Sequence, residues 1–118
     1  RSVYRMNVNS GKDPLLDVFD CPDPSVKAPR RRSTTTPLQA LSLMNNSLVQ
    51  RLAKSFAARL QQEAGETTGS SIEQAWLYAF ARKPTGAERG QCEALVKEHG
   101  LETACWVIFN ASEFLYVR

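Results

Sequence analysis

The sequence predicts an all-α fold, a compact bundle or array of five to six short helices behind an irregular N-terminal arm. Three observations predict it. Beyond Thr36 the apolar residues recur three and four positions apart, the spacing of one face of a helix. The apolar runs are separated by glycines and by capping residues that close one helix and open the next. Residues 25–35 have no periodicity and must run over the surface or line a cleft.

Taken in order, Ser2, Tyr4, Met6 and Val8 alternate weakly with Val3, Arg5 and Asn7, the pattern of a short extended segment. Gly11 to Asp13 forms a turn, and Asp13-Pro14 then opens a short helix over Leu15, Leu16, Val18 and Phe19 with an acidic cap. Cys21-Pro22-Asp23-Pro24 ends it, because each proline denies its predecessor the helical region.

Thr36 caps the next helix, and Pro37 lacks the N–H that would be orphaned at that position. Leu41, Met44, Leu48, Leu52, Phe56 and Leu60 then form one stripe, mostly four apart. A period of four drifts round a helix of 3.6 residues per turn. That drift and the Asn45-Asn46-Ser47 cluster predict two helices, re-capped at Asn46, rather than one rod.

Gly65 stops the second of these, and Glu66 to Ser71 is a polar connector. Ser71 and Gln74 have capping-box spacing for a helix whose Ile72, Ala75, Trp76, Ala79 and Phe80 make one continuous face. Arg82 and Lys83 suit its negative C-terminal end, and Pro84 stops it. Thr85 and Glu88 form another capping box, followed by Cys92, Leu95, Val96 and His99 up to a stop at Gly100. A last helix carries Leu101, Ala104, Cys105, Ile108, Phe109 and Ser112, and the apolar end from Glu113 to Arg118 packs back onto the bundle. No repeat at a solenoid period is present.

With 118 residues, 42% apolar and 23% charged, the chain is long enough for one core, so 1–118 reads as a single domain. Residues 1–36 are its arm and 37–118 its helical bundle. It begins at Arg1 without a methionine and so reads as a piece of a longer protein, and no apolar leader or membrane-spanning run is visible in it. The net charge of +3 is concentrated in Lys27 and Arg30 to Arg32. The aromatics are not interleaved with that cluster as a stacking platform requires, so nucleic acid is not the expected partner.

Cys21, Cys92 and Cys105 make no CxxC or CxxCH and no zinc pattern with His99, the only histidine, so no metal or cofactor is expected in this stretch. Cys92 and Cys105 fall on apolar helix faces, either as small buried hydrophobes or as a disulfide between neighbouring helices. His99 reads as a helix-end residue, and Trp76 and Trp106 as core.

Asp13, Asp17, Asp20 and Asp23 do not have the spacing of a calcium loop and serve better as caps and turn formers. Asp20 and Asp23 are also placed to pair with Arg31 or Arg32 across a turn. Arg30 to Arg32, followed by Ser33 to Thr36, sets guanidinium forks and hydroxyls ahead of a helix start, where an anion is well held, although Pro37 removes one amide from that site. Gln39, Asn45 and Asn46 are neutral amides that either read a sugar or peptide or act as caps. The candidate ligand site is therefore Asp20, Asp23, Arg31, Arg32, Thr35, Gln39 and Asn45, with no catalytic residues assigned.

The blocks Arg1-Ser-x-Tyr4, Phe19-Asp20-x-Pro22-Asp23, and Arg31-Arg32 followed by Thr35 and Pro37-x-Gln39-Ala40-Leu41-x-Leu43-x-Asn45 stand in a fixed order. Arg82-x-Pro84-Thr85-x-x-Glu88 and Trp106 to Asn110-x-x-Glu113-Phe114-x-Tyr116 continue it. In this order they resemble the C-terminal part of a planctomycete-specific domain of unknown function, found in large secreted proteins that also carry a cytochrome c module. The resemblance implies an extracytoplasmic setting, with other domains of the same protein as partners and any haem bound upstream. It implies no catalytic residues. The function expected is a non-catalytic binding or interaction module with an anion or glycan site near residues 31–45. The alternatives are part of a polysaccharide-processing enzyme, using Asp20, Asp23 or Glu113 with residues upstream, or a purely structural domain.

Overall fold

A computed structural model of the chain describes residues 14–22, 27, 29–30, 34–65 and 67–116. Among these the protein is 77% helical with no strands, and six helices are present, so the fold is all-α. The weak alternation near the N-terminus and the acidic cap at Asp13 lie outside the described residues. The chain divides into two compact units, residues 1–44 and 45–118.

In the first unit α1 spans Pro14–Val18 and α2 spans Pro37–Asn45. The end of α1 is set by Asp20, whose φ of 57° places it in the left-handed region that aspartate tolerates better than most residues. This lets the Cys21 N–H reach back to the Leu16 carbonyl at 3.0 Å, the bond that closes a helix C-terminus. At α2 the expected Thr36 cap is present and reciprocal. Thr36 Oγ1 accepts from the Gln39 N–H at 3.3 Å, and Gln39 Oε1 accepts from the Thr36 N–H at 3.1 Å.

The second unit packs α3 (Ser47–Ala64), α4 (Thr68–Phe80) and α5 (Gly86–Phe109) against one another, with the short α6 (Ser112–Leu115) on α4 and α5. Asn46 re-caps the chain as the sequence predicts, its Oδ1 accepting from the Leu48 N–H at 2.8 Å. The buried face of α3 is nevertheless not the expected stripe. Of that stripe Leu60 is buried and Phe56 packs against the core, but they are joined there by Val49, Ala53 and Ala57, whereas Leu48 and Leu52, like Leu41 and Met44 on α2, are exposed, Leu52 at 52%. The two alanines explain the shift, because small side chains let the facing helices come close, and the larger leucines of the neighbouring stripe cannot.

Gly65 ends α3 at φ 75° and ψ −170°, a conformation only glycine adopts readily. The chain then restarts sooner than expected. α4 begins at Thr68 with Thr67 as N-cap, so Ser71 and Gln74 lie inside the helix and do not form its capping box. The Ser70 hydroxyl holds this tight corner, its one O–H shared between the Ala64 and Thr67 carbonyl oxygens, each at 2.8 Å. Ile72, Ala75 and Trp76 are buried as expected, and the indole N–H of Trp76 is enclosed without a hydrogen-bond partner. The Thr85–Glu88 capping box forms as predicted, and Gly100 (φ 84°, ψ 164°) breaks α5 where the sequence places a stop.

Cys92 and Cys105 both point into the core formed by Ala53, Ala57, Leu60, Ile72 and Ile108, and both are free thiols. Burial pushes Cys92 up to about 11, aided by Glu93, and pushes Cys105 up to about 12, aided by Cys92 and Glu102. Thiolate is the reactive form. With an aromatic disulfide reagent at pH 8, exposed Cys21 reacts promptly, and Cys92 and Cys105 react only after denaturant is added. Prompt reaction of all three would contradict this burial.

Candidate functional site

The polar residues of the first unit meet around Thr34. Asp20 Oδ2 accepts from both the Thr34 N–H at 2.7 Å and the Thr34 hydroxyl at 2.8 Å. The same hydroxyl oxygen accepts from Gln39 Nε2 at 3.3 Å, and Nε2 also donates to the Val18 carbonyl at 3.1 Å. Gln39 is only 7% exposed, and its amide spends both donors and an acceptor on its own chain. The left-handed turn at Asp20 is what brings the carboxylate round to the Thr34 backbone. Asp20, Thr34 and Gln39 thus tie the end of α1 to the start of α2.

Of the sequence-predicted site residues, the structure brings Asp20 and Gln39 together through Thr34. Thr35 is exposed beside them, and Asn45 is exposed at the far end of α2. Asp23, Arg31 and Arg32 lie outside the described residues. Two of the amides that would face an anion at the α2 start, those of Thr36 and Gln39, are occupied by the capping box. Thr34 was not singled out within its hydroxyl run. The signal that points to this knot is the three-residue spacing of Thr36 and Gln39, which is that of a capping box.

A second polar constellation lies in the helical unit and is centred on Arg82. The left-handed Ala81 (φ 55°) ends α4 and turns the chain so that Arg82 faces both the first turn of α5 and α6. Its Nε donates to Glu113 Oε1 at 2.8 Å, and Nη2 donates to Glu113 Oε2 at 2.8 Å and Glu88 Oε1 at 2.7 Å. Nη1 donates to Glu88 Oε2 at 2.9 Å and to the Lys83 carbonyl at 3.2 Å. These bonds match the five N–H groups that a guanidinium possesses. The Phe80 ring lies beneath it, 5.6 Å from the guanidinium carbon.

Arg82 holds the Glu88 carboxyl down to about 2, helped by the Thr85 N–H and hydroxyl, and it holds Glu113 below the usual carboxylate range. The two carboxylates in turn raise Arg82 further. Each acid is paired to the same cation, so the cluster is suited to fixing three helix ends and poorly suited to proton transfer. Arg82 was expected only to complement the α4 dipole, and its partnership with Glu113, 31 residues away, has no local sequence signal.

Among the described residues no group of three His, Cys, Asp or Glu is placed to hold a metal ion, and no helix is long and apolar enough to cross a membrane. Comparison with curated proteins and with solved structures finds no match to this chain. A family model does match, over residues 1–96, a span that contains both the Asp20–Thr34–Gln39 knot and the Arg82–Glu88 pair. The chain belongs to the PSD1 family, described as a protein of unknown function (DUF1553).

Proposed function

We propose that this chain is a non-catalytic binding or interaction module of a larger secreted protein, one that also carries a cytochrome c module, and that its partners include other domains of that protein. In this reading the module occupies the C-terminal part of a planctomycete-specific domain and works outside the cytoplasm. An anion or glycan contacts residues 31–45, where Arg31, Arg32, Thr35 and Asn45 supply the charge and hydrogen bonds.

The observation that carries this proposal is the state of the carboxylates. Glu88 and Glu113 share the Arg82 guanidinium, and Asp20 accepts two bonds from Thr34. A glycosidase needs two carboxyl groups across an open cleft, one of them raised toward neutrality to act as an acid. Arg82 moves Glu88 and Glu113 the opposite way.

The test is thermal unfolding of the chain with sulfate, phosphate, and sulfated and neutral glycans, alongside Arg31→Ala and Thr35→Ala. A ligand at a hundred times its dissociation constant adds about 2.7 kcal/mol, a readily measured shift. The expected result is a stabilising ligand whose effect is lost in both variants. Release of reducing ends from any glycan in the panel would replace the proposal with the enzyme reading.

A further inference from the structure

Within the helical unit, and apart from both constellations above, the end of α3, the start of α4 and the break in α5 enclose a cleft of about 610 Å³. That volume lies within the roughly 300–1,000 Å³ of small-molecule sites. The break at Gly100 shapes its wall, setting Val96 before it and Leu101 after it on the same side, with Ala58 of α3 also lining the cleft. The polar lining consists of Gln61 and Gln62 on α3 and of Thr68 and Ser71 in the first turn of α4.

Ser71 points to an occupant. It is 3% exposed, it lines the cleft, and its hydroxyl makes no hydrogen bond to any described residue. Other hydroxyls in the unit that sit on helices, such as those of Ser55 and Thr103, bond to the carbonyl four residues back. The Ser71 oxygen is not sealed off but opens onto the cleft, so a molecule seated there meets a free donor and acceptor.

The lining also specifies the ligand. None of the described lining residues is charged. Hydroxyls and primary amides each donate and accept, so they complement groups that do both, which hydroxyls do and carboxylates and ammonium groups do not. The aliphatic wall of Val96, Leu101 and Ala58 suits the C–H face of a sugar ring. We infer that this cleft binds an uncharged mono- or disaccharide, with Ser71 as its buried hydrogen-bonding anchor and Gln61 and Gln62 at its rim. The site is separate from residues 31–45 and stands or falls independently of the function proposed above.

The experiment is a titration followed by amide ¹H–¹⁵N NMR, using glucose, N-acetylglucosamine and cellobiose against glucuronate and inorganic phosphate. The proteins are the wild-type chain, Ser71→Ala, and the double variant Gln61→Ala with Gln62→Ala. Ser71→Ala breaks no hydrogen bond, so its melting temperature without sugar should not fall, and the glutamines are exposed. The expected result is saturable shifts at residues 61, 62, 68 and 71 with a neutral sugar, weakened roughly three- to tenfold in either variant, the worth of one ordinary hydrogen bond. Equal or tighter binding of glucuronate or phosphate, shifts elsewhere in the chain, or no shift at 50 mM sugar would each overturn the inference.

Discussion

Leu60→Ala is expected to destabilise the helical unit by about 2 to 5 kcal/mol, whereas Leu52→Ala two turns earlier on the same helix stays within about 0.5 kcal/mol of wild type. Leu60 is fully buried, at 0% exposure, and lies in one cluster with Ala53, Ala57, Ile72, Ala75 and Ile108. Truncation removes its apolar burial and leaves a void, and a core this rich in alanine has few long side chains able to swing in and fill it. Leu52 projects into solvent, and alanine is the better helix former there. Urea unfolding of the two variants gives both values. Equal losses would mean that Leu52 is buried as deeply as Leu60 and that Ala53 and Ala57 do not mark the buried face.

The second large effect is expected from Arg82→Ala, which leaves Glu88 and Glu113 facing each other without the cation between them. The melting temperature should fall, and the fall should depend on pH in a defined way. Glu88 moves from its ordinary value of 4.5 to about 2 because of Arg82 and Thr85. A carboxyl depressed by folding stabilises the folded state above its unfolded value, and that stability is lost as pH falls through the folded value. The gap between wild type and variant is therefore full at neutral pH and closes as pH drops from 4.5 to about 2. All three side chains are a third to a half exposed, so salt should narrow the gap as well. A difference that is the same at pH 2 and pH 7 would show that Arg82 matters through its stem packed on Phe80 and not through its charge.

These two predictions divide along what the sequence makes legible. Thr36 with Pro37, Asn46, Gly65, Thr85 with Glu88, and Gly100 each act within about four residues of themselves, and each starts or stops a helix where local reasoning places it. The all-α architecture follows from those signals. The buried face of α3 does not, because stripes one residue apart satisfy the helical period equally well. Only the close approach of α4 and α5 selects the alanines over the leucines.

The same limit governs the polar residues. Asp20 and Gln39 were legible as members of one neighbourhood, but Thr34 joins them only through the left-handed turn at Asp20. Arg82 finds Glu113, 31 residues further along the chain, with the whole of α5 between them. Ser71 is part of an apparent capping box in sequence, and it becomes a buried lining residue because the corner at Gly65 starts α4 earlier. In each case a tertiary approach, and not the residue type, decides what the side chain does.

The enclosed indole of Trp76 has a practical consequence. The protein contains two tryptophans, Trp76 and Trp106, and both belong to residues 45–118. Trp76 sits in an apolar environment with its N–H bonded to nothing, the condition under which indole emits at short wavelength, and unfolding moves that emission to the red. Intrinsic fluorescence is thus a built-in optical probe of the four-helix unit alone, recording the loss of its interior while staying silent about residues 1–44.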